Sequence, residues 1–324
     1  MGISSWQTDL QSSIHQYEDL RDACDLNSDV SNAPQSDFPV KVPRAFLSRI
    51  NPNDPADPLL LQILPTLGEE QDDPGYHIDA VGEFNKHLTP GLIKKYHGRA
   101  LLITTASCAI HCRYCFRRHY PYPENHASQA NWAKAITTLQ ADTSISEIIL
   151  SGGDPLSLTD AKLEKLIGQL ENIEHLKFLR IHSRFPVVVP SRVTRQLLEI
   201  LRRSRFKTTM VVHINHANEI DKAAGKALND MYSSGMQLLN QSVLLKGVND
   251  KVEVLTQLSE DLYSNHVLPY YLHLLDPVQG AAHFDVDEES AKALINSIRA
   301  RLPGYLVPRL VKEIPDAAYK IPII

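Results

Sequence analysis

Ala100-Leu101-Leu102-Ile103-Thr104 runs directly into Thr105-Ala106-Ser107-Cys108-Ala109-Ile110-His111-Cys112-Arg113-Tyr114-Cys115-Phe116, and the next apolar run, Glu147-Ile148-Ile149-Leu150, ends in Ser151-Gly152-Gly153-Asp154. Two short apolar runs, each closing on a polar loop, read as consecutive buried strands whose exits carry chemistry. The first loop holds three of the four cysteines, with only Cys24 elsewhere. The spacing CxxxCxxC offers Cys108, Cys112 and Cys115 as three thiolates to a cubane [4Fe-4S] cluster, which normally takes four, so one iron is left open for another ligand.

Outward from this stretch the pattern repeats. Strands are expected at 100–104, 147–151, 178–182, 208–214, 237–244 and 268–272, separated by amphipathic stretches. One helix is expected after Ser191 as N-cap, with Val193, Leu197, Leu198 and Leu201 on one face. Another is expected after Asp287, with Ala291, Leu294, Ile295 and Ile298 inward. Six strand-helix units suit a doubly wound sheet or a partial barrel, and either places its site at the strands' C-terminal ends. The polar residues obey that rule. The cysteines follow the first strand, Gly152-Gly153-Asp154 the second and His182-Ser183-Arg184 the third. His213, Asn215 and His216 end the fourth, Gln241 lies on the fifth, and Asp276 follows the sixth.

Before the first strand, residues 25–73 are dense in Pro, Asp and Asn, and read as an irregular segment wrapping a core. With 22% charged residues and a formal net charge of -5, the chain lacks the basic field of a broad nucleic-acid surface. It has no apolar run of the ~18 residues that span a bilayer, and its first twenty residues lack the apolar centre of a signal peptide. A small-molecule partner and a cytoplasmic location are the expectation, with neither nucleic acid nor membrane as partner. In a reducing compartment four cysteines favour metal binding or catalysis over disulfides.

Two simpler readings compete. Cys108, Cys112, Cys115 and His119 form a feasible Cys3His zinc set, which would make the protein a zinc-stabilised binding module, for instance one docking on the translation machinery. Ser151-Gly152-Gly153-Asp154-Pro155 has the composition of a turn. Beside a cluster loop, however, two glycines let backbone approach a ligand, and S-adenosylmethionine is the ligand suggested.

The cysteine loop and Gly152-Gly153-Asp154 resemble the radical S-adenosylmethionine enzymes. His213 to Ile220, Asn240 to Asp250 and Pro269-Tyr270-Tyr271 extend the likeness to the lysine 2,3-aminomutase family over nearly the whole chain, most closely to its short bacterial members that make (R)-β-lysine for elongation factor P. The resemblance implies an α/β fold, a partial (β/α)6 TIM-like barrel over 99–302, with an irregular and helical N-terminal extension, 1–98, and a C-terminal cofactor segment, 303–324. It implies an isomerase that moves the amino group of L-lysine from C2 to C3, with an aminomutase for another amino acid such as glutamate as the alternative.

The cofactors so implied are the cluster, S-adenosylmethionine and pyridoxal 5'-phosphate, the last held as an imine by Lys320. Arg99 and Lys95 match positions near pyridoxal phosphate. Gly152, Gly153, Asp154, His213 and Gln241 match positions near S-adenosylmethionine. Arg117 matches the residue for the substrate carboxylate, and Asp276 and Glu313 those for the distal ammonium, a cationic preference that argues against glutamate. The family's glycine-rich run before its lysine is here Asp316-Ala317-Ala318-Tyr319, and no cysteine follows Cys115, so the zinc cysteines of longer relatives have no counterpart. An electron donor such as flavodoxin or ferredoxin, a link to elongation factor P and its lysyl ligase, and room for a homo-oligomer complete the implied partners.

Overall fold

The computed structural model describes residues 5–26, 38–125 and 129–324. Among these residues ten strands form one sheet in sequential order: β1 His87–Thr89, β2 Leu92–Ile93, β3 Arg99–Thr105, β4 Glu147–Gly152, β5 Phe178–Ser183, β6 Lys207–Val212, β7 Gln237–Val243, β8 Val267–His273, β9 Arg309–Lys312 and β10 Ile321–Pro322. From β3 to β9 every neighbour is parallel, while β2 and β10 pair antiparallel at the flanks. Parallel pairing demands a crossover between strands, and helices such as Asp160–Glu171, Arg195–Arg203, Lys222–Ser233 and Val252–Ser264 provide it.

All six expected strands form, with shifted ends. The fourth stops at Val212 rather than Ile214 because the Ile214 N–H donates to Asn240 Oδ1 (2.9 Å) and its carbonyl accepts from Asn240 and Ser242, so side chains replace the ladder. The C-terminal segment is not separate from the sheet: it supplies a seventh parallel strand, β9, and folds back as β10. The helix expected to begin after Ser191 begins after Thr194, whose Oγ1 accepts the Leu197 N–H at 3.0 Å, while the Ser191 hydroxyl bonds Asp9 instead. The last crossover helix, Glu288–Arg299, is capped by Asp287 and buries Ala291, Leu294, Ile295 and Ile298, as the periodicity requires.

The apolar core lies between the outer face of the sheet and the helices, where Leu163, Leu166, Ile167 and Leu170 are buried from one helix alone. The N-terminal segment adds Leu59, Leu60, Ile63 and Leu64 to it. That segment also holds the cysteine loop. The His111 N–H donates to the Lys41 carbonyl (3.0 Å) and the Arg113 N–H to the Gln62 carbonyl (2.9 Å), and the buried Glu69 carboxylate receives both Arg113 and Arg118 (2.6 Å). No helix of the described residues is long and apolar enough to cross a membrane.

Candidate active site

The inner face of the curved sheet encloses a cavity of about 460 Å³. Every site residue expected from the sequence lines it: Cys108, Cys112 and Cys115; Gly152, Gly153 and Asp154; His213 and Gln241; Lys95, Arg99 and Arg117; Asp276, Glu313 and Lys320. Most come from the exits of successive strands, joined by Lys95 and Arg99 at the entrance to β3 and by Glu313 and Lys320 after β9. Sequence separation is lost because parallel strands all end on one side.

The cysteine loop is positioned by the glycines. A Cβ on Gly153 would lie 2.4 Å from the Ser107 carbonyl oxygen, and one on Gly152, which has φ +117, would lie 2.7 Å from that of Thr105. Space the sequence assigns to a ligand is thus taken by backbone of the cysteine loop, which is tied down by Gly153 N–H to Thr105 O and Asp154 N–H to Ser107 O, both 2.7 Å. Asp154, expected at the cofactor, instead spends its carboxylate on the protein. It accepts from Ser183 Oγ and Arg184 N–H (2.7 Å each), Leu156 N–H (3.0 Å) and Phe185 N–H (3.3 Å). Burial raises its pKa to about 6, though those bonds pull the other way. Its geometry is that of a residue positioning two strand exits.

No three His, Cys, Asp or Glu side chains among the described residues converge on one point as a single ion requires. His119 is exposed, outside the cavity, with Nε2 3.2 Å from the Gln279 carbonyl. The Cys3His zinc arrangement is therefore not formed. Three thiols lining one cavity wall without sharing a centre suit a cluster, where each sulfur meets a different iron.

The substrate-side groups divide unexpectedly. Glu313 is already paired: its Oε1 lies 2.5 Å from both Lys95 Nζ and Tyr96 Oη, and its Oε2 takes Lys320 Nζ. Burial works against its charge, but Lys320 and Lys95 hold its pKa down to about 2. Lys95, expected at the phosphate of a cofactor, is committed to Glu313 and the Val81 carbonyl (3.0 Å). Arg117, expected at a carboxylate, is closed in a fork by Glu83 (2.7 and 2.9 Å), with Nη1 on Ser151 Oγ (2.9 Å). Burial opposes its charge, yet Glu83 more than compensates and raises its pKa.

Asp276 differs. It has neither a side-chain hydrogen bond nor an ion pair among the described residues, and its pKa is pushed up to about 7, chiefly by burial and against the pull of Lys320. Arg99 and Arg309 line the cavity without a carboxylate partner among those residues; Arg99 lies over the Tyr96 ring at 5.4 Å. His182 Nε2, His273 Nε2 and Gln241 Nε2 are buried without hydrogen-bond partners. Burial holds His182 and His273 well below the ordinary imidazole range and brings His213 to about 4, so these imidazoles are neutral near pH 7. Orphaned buried donors and acceptors are costly, and ones lining a cavity suit a polar ligand.

Glu83, Tyr96, Arg180, Arg184, His273 and Arg309 also line the site. Of these, His273 and Arg184 obey the strand-exit rule and were legible by it. Tyr270 and Tyr271, neighbours in sequence, both line the cavity because β8 bulges there: Asn240 pairs with Pro269 and Gln241 with Tyr271. Pro269 cannot donate to the ladder, and the bulge turns both rings inward.

Residues 102–255 match the family described as the radical SAM superfamily. The chain is similar to the L-lysine 2,3-aminomutase of Escherichia coli K12, 46% identical over 88% of this chain and 83% of that one. It is also similar to the L-lysine 2,3-aminomutase of Buchnera aphidicola, 42% identical over 98% and 94%. Among solved structures it resembles a radical SAM methyltransferase from Sphaerobacter thermophilus, with TM-score 0.49, 16% identity and 68% of each chain covered.

Proposed function

The chain belongs to the lysine 2,3-aminomutase family of radical S-adenosylmethionine enzymes, and from that premise we propose that it converts L-α-lysine to (R)-β-lysine. The observation that carries the substrate is Asp276: a half-buried carboxyl with no side-chain partner among the described residues, lining the same cavity as the three cysteines and Lys320. Such a group costs stability unless a cation arrives, and a distal ammonium is that cation. Glutamate would bring a second carboxylate against it.

Membership brings a [4Fe-4S] cluster and S-adenosylmethionine, and the residues fit them. Cys108, Cys112 and Cys115 would hold the cluster, and the unpartnered Gln241 amide and His182 imidazole suit a polar cofactor beside it. Pyridoxal phosphate is part of the proposal. Support for it comes from Lys320 at the cavity wall and from Arg99 and Arg309, cations free of carboxylates. When bound, these groups would supply hydrogen abstraction from an unactivated carbon and an electron sink for the amino group in transit, neither of which amino-acid side chains provide.

The chain's own residues have the remaining work. Asp276 grips the distal ammonium and so sets the depth of lysine in the cavity. Arg117, whose guanidinium is already engaged by Glu83 and Ser151, is a fixed part of the cavity wall and offers the substrate carboxylate no free fork. Glu313 holds Lys320 in place by an ion pair, and Lys95 and Tyr96 hold Glu313. Val81 and Glu83 from the N-terminal segment and Tyr319 and Pro322 from the C-terminal one complete the wall, which keeps water from reactive species. Supply of the product to elongation factor P through its lysyl ligase, with flavodoxin or ferredoxin as electron donor, rests on the family resemblance.

The test is anaerobic incubation of reconstituted protein with isotope-labelled lysine, S-adenosylmethionine, pyridoxal phosphate and dithionite, resolving β-lysine enantiomers. (R)-β-lysine, with no β-glutamate from glutamate, is the expected result. The opposite enantiomer or turnover of glutamate alone sinks the proposal.

A further inference from the structure

Arg184 lies at the exit of β5, far in sequence from the cysteine loop, yet its Nη1 donates to Cys112 Sγ at 2.7 Å. Its second terminal nitrogen is held by the protein, while Nε is buried without a hydrogen-bond partner among the described residues. Nη2 donates to Gln62 Oε1 (2.7 Å) and Glu219 Oε2 (2.9 Å), and the group stacks on Phe46 with 5.4 Å to the ring centroid. The side chain is 7% exposed and that of Glu219 is fully buried. Glu219 is itself pinned, since Oε1 accepts from Asn215 N–H (2.9 Å), His216 N–H (3.2 Å) and Gln62 Nε2 (3.2 Å). The backbone of Arg184 is held by Asp154, so the strand exit that anchors the cysteine loop also aims this cation. Of the three cluster-loop sulfurs, Cys112 is the one a cationic side chain donates to among the described residues.

We infer that Arg184 is a positioning residue for the cluster: its guanidinium donates a charge-assisted hydrogen bond to the Cys112 sulfur and raises the reduction potential of the site that Cys112 ligates. The inference rests on the cluster reading of the cysteines. One-electron reduction adds a negative charge to the cluster and its thiolates. A fixed N–H and a formal positive charge beside one sulfur stabilise that charge, and hydrogen bonds to sulfur are an established lever on such potentials. Because the Arg184 and Glu219 side chains are buried, the interaction is weakly screened. Glu219 sits on the far side of the guanidinium with its charge shared among backbone N–H groups, so it directs the cation toward sulfur while partly offsetting it. The consequence is functional: a weaker electron donor suffices to charge the cluster.

The test is a potentiometric titration of anaerobically reconstituted protein, followed by electron paramagnetic resonance of the reduced cluster, with iron and sulfide counted first. Arg184→Met is expected to shift the midpoint to more negative potential, lowering the reduced-to-oxidised ratio at a fixed applied potential about tenfold, which is 59 mV for a one-electron couple. Arg184→Lys, which keeps the charge and loses the fork, should recover part of the shift. Glu219→Gln removes a negative charge from the same network and should move the midpoint the opposite way, which loss of packing alone would not do. Equal midpoints for wild type and Arg184→Met at full cluster content overturn the inference, as do shifts of one sign in Arg184→Met and Glu219→Gln. Should Arg184→Met not hold a cluster, Arg184→Lys and Glu219→Gln decide by the same criterion. Wild-type protein that takes up no iron and sulfide removes the cluster reading and this inference with it.

Discussion

A single carboxyl carries the substrate argument, and its titration can be followed. Burial lifts Asp276 to about 7, above the ~3.9 of an unfolded aspartate. The folded, cofactor-free protein therefore keeps a proton that the unfolded chain releases, and folding stability falls as pH rises from about 4 to about 7, then levels. Melting temperatures measured across that range should show the loss in wild type and a shallower slope in Asp276→Asn. Only the ionised form pairs with an ammonium, so lysine should bind more tightly as pH passes upward through about 7. Asp276→Asn should raise the KM for lysine by about 100-fold, in line with the ~2–5 kcal/mol lost when one partner of a buried charge pair is removed. Iron and sulfide content should stay at the wild-type level. Lys320→Ala should abolish the absorbance that added pyridoxal phosphate develops on wild-type protein; an unchanged spectrum would remove Lys320 from the cofactor assignment.

Elements differ in how plainly the sequence announces them. The helix Glu288–Arg299 was readable because cap and apolar face agree, and Asp287→Ala should cost it about 1 kcal/mol in denaturant unfolding. The helix after Ser191 was misplaced at its start because Ser191 and Thr194 are both good caps, and a distant Asp9 claims the first. The strands β9 and β10 were missed: four and two residues long, they have too little pattern to stand out, and their partners lie in other segments. The turn between Gly152 and Asp154 lines the cavity as expected, but the reason for its glycines was not visible in the sequence, since the crowding atoms belong to residues 103–107. Gly153→Ala should destabilise the protein by about 2–3 kcal/mol through overpacking and lower the iron bound per chain, measured by denaturant unfolding and metal analysis.

Across the whole molecule, the N-terminal segment and the sheet are bound through the cysteine loop. Glu69 and Arg113 are almost fully buried together, with Arg118 on the same carboxylate. Burial opposes ionisation of Glu69, yet the two arginines hold its pKa below the usual carboxylate range. Glu69→Ala leaves two buried cations without that carboxylate and should cost about 3–5 kcal/mol, seen as a lower melting temperature with loss of iron preceding global unfolding. The sequence by itself determined the parallel α/β order and the grouping of three thiols in one loop after a strand, because hydrophobic period and residue spacing are local properties. It also supplied every cavity-lining residue that was expected. Only the tertiary structure decided how those residues divide their work. Pairing depends on distances between segments that no local pattern encodes: Glu313 is closed by Lys95 and Lys320, Arg117 by Glu83, and of the expected carboxylates Asp276 is the one without a side-chain partner among the described residues.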